Sequence, residues 1–81
     1  MITVRFFASL REQLAVSQLR LDDVPASAGA LRQQLMQRGT RWEYALADRE
    51  VLVAVNQVVR DDSCPLLAGD EVAFFPPVTG G

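Results

Sequence analysis

Histidine is absent from this 81-residue chain, and with it the commonest general base, proton shuttle and metal ligand. Lysine is absent too, since all eight basic residues are Arg. A lysine Schiff base and a P-loop are thereby excluded. The single Cys64 rules out an internal disulfide and any multi-cysteine zinc or iron–sulfur site. With no His or Lys neighbour to activate it, it reads as an inert thiol. No apolar run approaches the roughly 20 residues needed to span a bilayer. Met1-Ile2-Thr3-Val4-Arg5 offers neither the basic region nor the apolar region of a secretory signal. A formal net charge of −2 with scattered arginines argues against a nucleic-acid footprint. These absences describe one cytoplasmic domain with no metal site, no bound cofactor and no membrane or nucleic-acid partner. They are poor material for a self-sufficient enzyme.

What is present suffices for a compact core: 49% of residues are apolar and 22% charged. Ile2, Val4 and Phe6 alternate with Thr3, Arg5 and Phe7, the period of a half-buried strand. Phe7 then either lies on the polar face or turns inward at the strand end. Ser9 with Glu12 fits a capping box opening a short helix that buries Leu10 and Leu14. Leu19 and Leu21 mark a second strand, ended by Asp22-Asp23-Val24-Pro25. Ser27 is the expected N-cap of a main helix running to about Arg38, with Gly39 as its stop. Ala28, Leu31, Leu35 and Met36 form its apolar stripe, while Arg32, Gln33, Gln34, Gln37 and Arg38 form the wet face. Arg41–Leu46 has room for one helical turn.

Val51–Val55 reads as a central strand covered on both sides. Asn56-Gln57 is a tight turn into Val58-Val59. Gly69-Asp70 turns the chain into a last strand, where Val72 and Phe74 share one face and Ala73 and Phe75 the other. If Val72 and Phe74 are core, Phe75 is exposed. The order of elements gives an α+β fold with a helix across one sheet face. Its first and last strands lie side by side in the middle, and Phe7 and Phe75 form one aromatic patch.

The chain ends in Phe74-Phe75-Pro76-Pro77-Val78-Thr79-Gly80-Gly81. Pro76 and Pro77 fix φ and lack an N–H, so they cannot prolong a sheet ladder. Pro76 also holds Phe75 extended. Gly80 and Gly81 let a backbone thread where no side chain fits. The expected division is a domain over residues 1–75 and an extended tail over 76–81, tipped by the carboxylate of Gly81.

Phe6-Phe7, Ala54-Val55-Asn56, Gly69-Asp70-Glu71-Val72 and above all the closing run resemble the small, sulfur-carrying subunits of molybdopterin synthase, which are ubiquitin-like β-grasp proteins. The resemblance implies that an adenylating enzyme uses ATP to convert Gly81 to an acyl-adenylate. A sulfur donor protein then yields a C-terminal thiocarboxylate. Pro76, Pro77, Val78, Thr79 and Gly80 would enter a pocket of the large synthase subunit in a two-plus-two heterotetramer. There the sulfur attacks cyclic pyranopterin monophosphate on the way to the molybdopterin dithiolene. Phe7 and Phe75 match the family's partner-facing surface, and Arg11 lies near it. Two alternatives share the Gly-Gly end: a protein modifier joined to targets through Gly81, and a carrier for thiamine-thiazole synthesis.

Overall fold

The computed structural model describes residues 1–48 and 50–77. Their order is β1 (Ile2–Phe6), α1 (Ala8–Leu14), β2 (Gln18–Leu21), α2 (Ala28–Met36), α3 (Thr40–Leu46), β3 (Leu52–Val55), β4 (Val58–Arg60) and β5 (Glu71–Phe75). The five strands form one sheet in the order β2-β1-β5-β3-β4. β1 and β5 pair in parallel, registering Thr3 with Glu71 and Phe6 with Phe74. The other neighbours are antiparallel. This is the expected α+β architecture, with the first and last strands adjacent at the centre.

Alternation sets the two faces of the sheet. Ile2, Val4 and Phe6 of β1 and Val72 and Phe74 of β5 are buried with Leu10, Leu14, Leu31, Leu35 and Leu46 from the helices. Phe6 stacks against Phe74 at 6.1 Å between ring centroids and meets Trp42 edge-on at 5.4 Å. The hairpin turn falls at Asn56-Gln57, both with left-handed φ (51° and 72°), the backbone that a two-residue hairpin demands. Asn56 is tied down by its side chain, which donates to Asp70 Oδ1 and accepts from the Glu71 N–H. Hydrogen bonds from the Leu67 N–H and from Asn56 hold the Asp70 carboxyl below the usual carboxylate range.

Five local expectations need correction. Phe7, not Ser9, holds the N-cap position of α1, without a side-chain cap bond. The Phe7 N–H continues the sheet by donating to the Phe74 carbonyl, and its own carbonyl accepts from Leu10, so the helix starts before Ser9 can cap it. Ser27 does cap α2, accepting from the Ala30 N–H, but the helix ends at Met36 with Gln37 as C-cap. Gly39 instead precedes α3, whose seven residues exceed the single turn expected of them. β3 is an interior strand, paired with β5 and β4, but it is covered on one face only, and its Leu52 is exposed.

The fifth correction is Arg32, placed by periodicity on the wet face. It is only 9% exposed. Its guanidinium donates to the carbonyls of Leu46 and Val51 and to Asp62 Oδ1, and it lies over the Phe74 ring at 5.5 Å. The Asp62 side chain is largely exposed, so the ion pair is screened and contributes little. The two carbonyls matter more: Arg32 satisfies acceptors at both ends of the α3–β3 connection. Loop 61–66 closes the other end of α2, where the Cys64 and Asp62 carbonyls accept from the Ala28 and Gly29 N–H groups. A Cβ on Gly29 would stand 3.0 Å from Asp62 Cβ and 3.1 Å from its carbonyl oxygen, so a side chain here fits only if the Asp62 loop gives way by a few tenths of an ångström.

Replacing Arg32 by Ala strands those two acceptors, and the expected loss of stability is about 2–4 kcal/mol. Urea denaturation measures it; a loss below about 1 kcal/mol would mean that water substitutes for the guanidinium.

Candidate functional site

The site is built at the end of β5, where the strand stops and the proline pair begins. β5 is the central strand, paired with β1 on one side and β3 on the other, and it ends at Phe75. Pro76 and Pro77 follow without regular structure and are half-buried. The expectations for Val78, Thr79, Gly80 and Gly81 lie outside the described residues.

Phe74 and Phe75 part company by strand alternation. Phe74 is fully buried between Phe6 and Arg32, whereas Phe75 is half-buried on the opposite face. That is less exposure than expected of it. Phe7 is 42% exposed and has extended backbone (φ −122°, ψ 156°), so it keeps to the strand's alternation and does not turn into the core. The parallel register that sets Phe6 against Phe74 puts Phe7 next to Phe75 on this open face. The two aromatics thus flank the root of the tail as expected. Arg11 is exposed on α1, one residue past buried Leu10.

Sequence reasoning missed the rest of the apolar surface. Leu52 is registered with Phe75 and Ala54 with Ala73 across β3–β5. Val59 is registered with Ala54 across β3–β4. Leu52 and Val59 are exposed, Val59 to 60%. An uninterrupted run such as Val51–Val55 looks the same whether one face or both are covered, and only the position of α2 and α3 decides. Phe7, Phe75, Leu52 and Val59 make an apolar strip on the sheet face turned away from the helices, with buried Ala54 as its floor.

Towards the other edge the same face turns polar. Arg5 Nε lies 3.5 Å from Glu71 Oε2, both side chains partly exposed, and Arg20 is exposed on β2. Among the described residues no group of three or more His, Cys, Asp or Glu could hold a metal ion, and no helix is long and apolar enough to cross a membrane. The Cys64 thiol is buried. What this geometry offers is an open sheet face, partly apolar, beside the proline pair that follows the central strand.

The ThiS family model matches residues 4–81. The chain belongs to the ThiS family. A ThiS-family relative from Haemophilus influenzae, named molybdopterin synthase sulfur carrier subunit, is 46% identical over 81 residues, the full length of both chains. Among solved structures, SAMP1 from Haloferax volcanii superposes with a TM-score of 0.79 at 28% identity, covering 99% of this chain and 98% of that one. A protein–protein complex of subunits 1 and 2 of molybdopterin-converting factor from Helicobacter pylori matches with a TM-score of 0.70 at 27% identity, over 99% and 97% of the two chains. The fold is therefore the ubiquitin-like β-grasp, as the closing motif implied.

The neighbouring phenylalanines separate folding from docking. Phe74→Ala should cost about 3–5 kcal/mol of stability, whereas Phe75→Ala should cost less than about 1.5 kcal/mol. Thermal or urea denaturation of the two variants checks this, and equal losses would place Phe75 in the core.

Proposed function

We propose that this chain is the sulfur carrier and small subunit of a molybdopterin synthase. The observation that carries the proposal is the 46% identity, end to end, to a chain named as that subunit. The geometry supports it, because the tail leaves the central strand beside an apolar face fit for docking. The chain works by presenting its end, and the catalytic groups belong to its partners.

A carboxylate is a poor electrophile, so Gly81 must first be activated. In this reading an adenylating enzyme couples Gly81 to ATP, forming an acyl-adenylate and releasing pyrophosphate. The outer sulfur of a persulfide on a donor protein attacks the acyl carbon and AMP leaves. A thiol then cleaves the resulting S–S bond reductively, freeing the thiocarboxylate and leaving the donor sulfur in a disulfide. That group is a soft anionic nucleophile near neutral pH, so this chain needs no histidine to deprotonate it. The loaded tail enters the large subunit's pocket, where sulfur attacks cyclic pyranopterin monophosphate. Hydrolysis then returns the Gly81 carboxylate, and two rounds supply both dithiolene sulfurs. Pro76 and Pro77 keep the approach stiff, which lowers the entropy lost on insertion. Val78, Thr79 and Gly80 form the threading segment.

Phe7 and Phe75, with Leu52 and Val59 over Ala54, are the apolar contact to the large subunit, and Arg11 is a polar contact at its rim. The complex contains two copies of each subunit and acts in the cytoplasm. ATP is consumed by the activating enzyme and is not held by this chain.

A modifier function is the second reading, favoured by the likeness to the small archaeal modifier protein 1 of Haloferax volcanii; in it Gly81 is joined to amines on target proteins. Deleting Gly81, or adding one residue after it, should abolish sulfur transfer in the reconstituted synthase while leaving the melting temperature unchanged. Sulfur transfer that survives either change would overturn the carrier assignment. Covalent ladders on denaturing gels, dependent on Gly81, would favour the modifier.

A further inference from the structure

Docking through the apolar strip leaves half of the open face unaccounted for. The strands' register places Thr3 and Arg5 of β1 beside Glu71 and Ala73 of β5, and Phe7, just past β1, continues the same face towards Phe75. It places Arg20 beside Thr3 and Gln18 beside Arg5 across β1–β2. The face is therefore divided along its width: apolar over β3, β4 and the end of β5, and polar over β1, β2 and the start of β5. Glu71 is occupied by Arg5, which leaves Arg20 uncompensated within the face among the described residues. Asp22 and Asp23 follow only in the bend beyond Leu21. One surplus positive charge thus sits on this face in a chain whose formal net charge is −2.

We propose that Arg5 and Arg20 form a second, electrostatic half of the docking face, and that the large-subunit partner presents a carboxylate-bearing surface opposite them. This rests on the synthase reading above and adds the chemistry of the partner's contact. The polar half is continuous with the apolar strip through Phe7 and Ala73, so a partner broad enough to cover the strip meets Arg5 next. An acidic partner surface there would speed encounter and fix which way round the sheet docks, since charge at an interface rim acts mainly on association rate and register. The Arg5–Glu71 pair prevents the face from presenting two bare guanidiniums, which limits indiscriminate binding to polyanions.

The experiment is a binding titration of the intact chain with its large subunit, at low salt and at roughly 0.5 M salt, where screening extends over only a few ångströms. Arg20→Glu should weaken binding by roughly fivefold or more at low salt and have little effect at high salt. Arg20→Lys should bind like the unaltered chain. Circular dichroism melting verifies that Arg20→Glu folds, as an exposed strand position should allow. Equal affinities at both salts, or an equal loss at both, would overturn the proposal. Phe75→Ala is the companion variant: if it too binds normally, the docking reading itself fails, whereas its weakening alone rejects only the electrostatic half.

Discussion

Parallel pairing of β1 with β5 is the constraint on which the remaining structure depends. It joins the first strand of the chain to the last, places both at the sheet's centre and fixes where the tail leaves. The ladder extends past the strand ends, with the Thr3 N–H donating to the Asp70 carbonyl and the Phe7 N–H to the Phe74 carbonyl. A slip of β5 by one residue would exchange its faces, driving Phe75 inward and Phe74 out. The stacking of Phe6 on Phe74 and the cation of Arg32 over the same ring oppose that slip. The register therefore decides which phenylalanine holds the fold and which is free to meet a partner.

That division explains how a chain without His or Lys can take part in chemistry. Its helices cover one side of the sheet, and the other side is left bare and mostly apolar beside the proline pair. Nothing in the described residues gathers acid, base or metal ligands, and the work assigned to the chain requires none of them. The proposed role calls for recognition by more than one enzyme and for an accessible end. A rigid sheet with one open face and a stiff exit meets both needs.

Much of this was legible in the sequence. Period-2 alternation in Ile2–Phe6 and Val72–Phe75 identifies the central strands and splits their two faces, and Asn56-Gln57 and Ser27 announce a turn and a cap. The closing Phe-Phe-Pro-Pro-Val-Thr-Gly-Gly run carries the family. The misplaced features are those set by distant partners. Arg32 follows the helical period onto the polar side, yet its acceptors lie 14 and 19 residues away at Leu46 and Val51. Ser9 has the chemistry of a cap, but sheet hydrogen bonding of Phe7 takes precedence. The apolar run Val51–Val55 does not disclose that Leu52 and Ala54 face away from the helices, so Leu52 and Val59 of the apolar strip, and Ala54 beneath them, emerged only with the fold.

The most direct test of the carrier assignment is the intact mass of the chain isolated from cells containing its activating and sulfur-donating enzymes, with fragmentation of the C-terminal peptide. The account predicts a fraction in which sulfur replaces one oxygen of the Gly81 carboxylate, and its loss when the activating enzyme is removed. Gly81 found only as a free carboxylate or in isopeptide linkage to other proteins, in cells actively making molybdopterin, would contradict it.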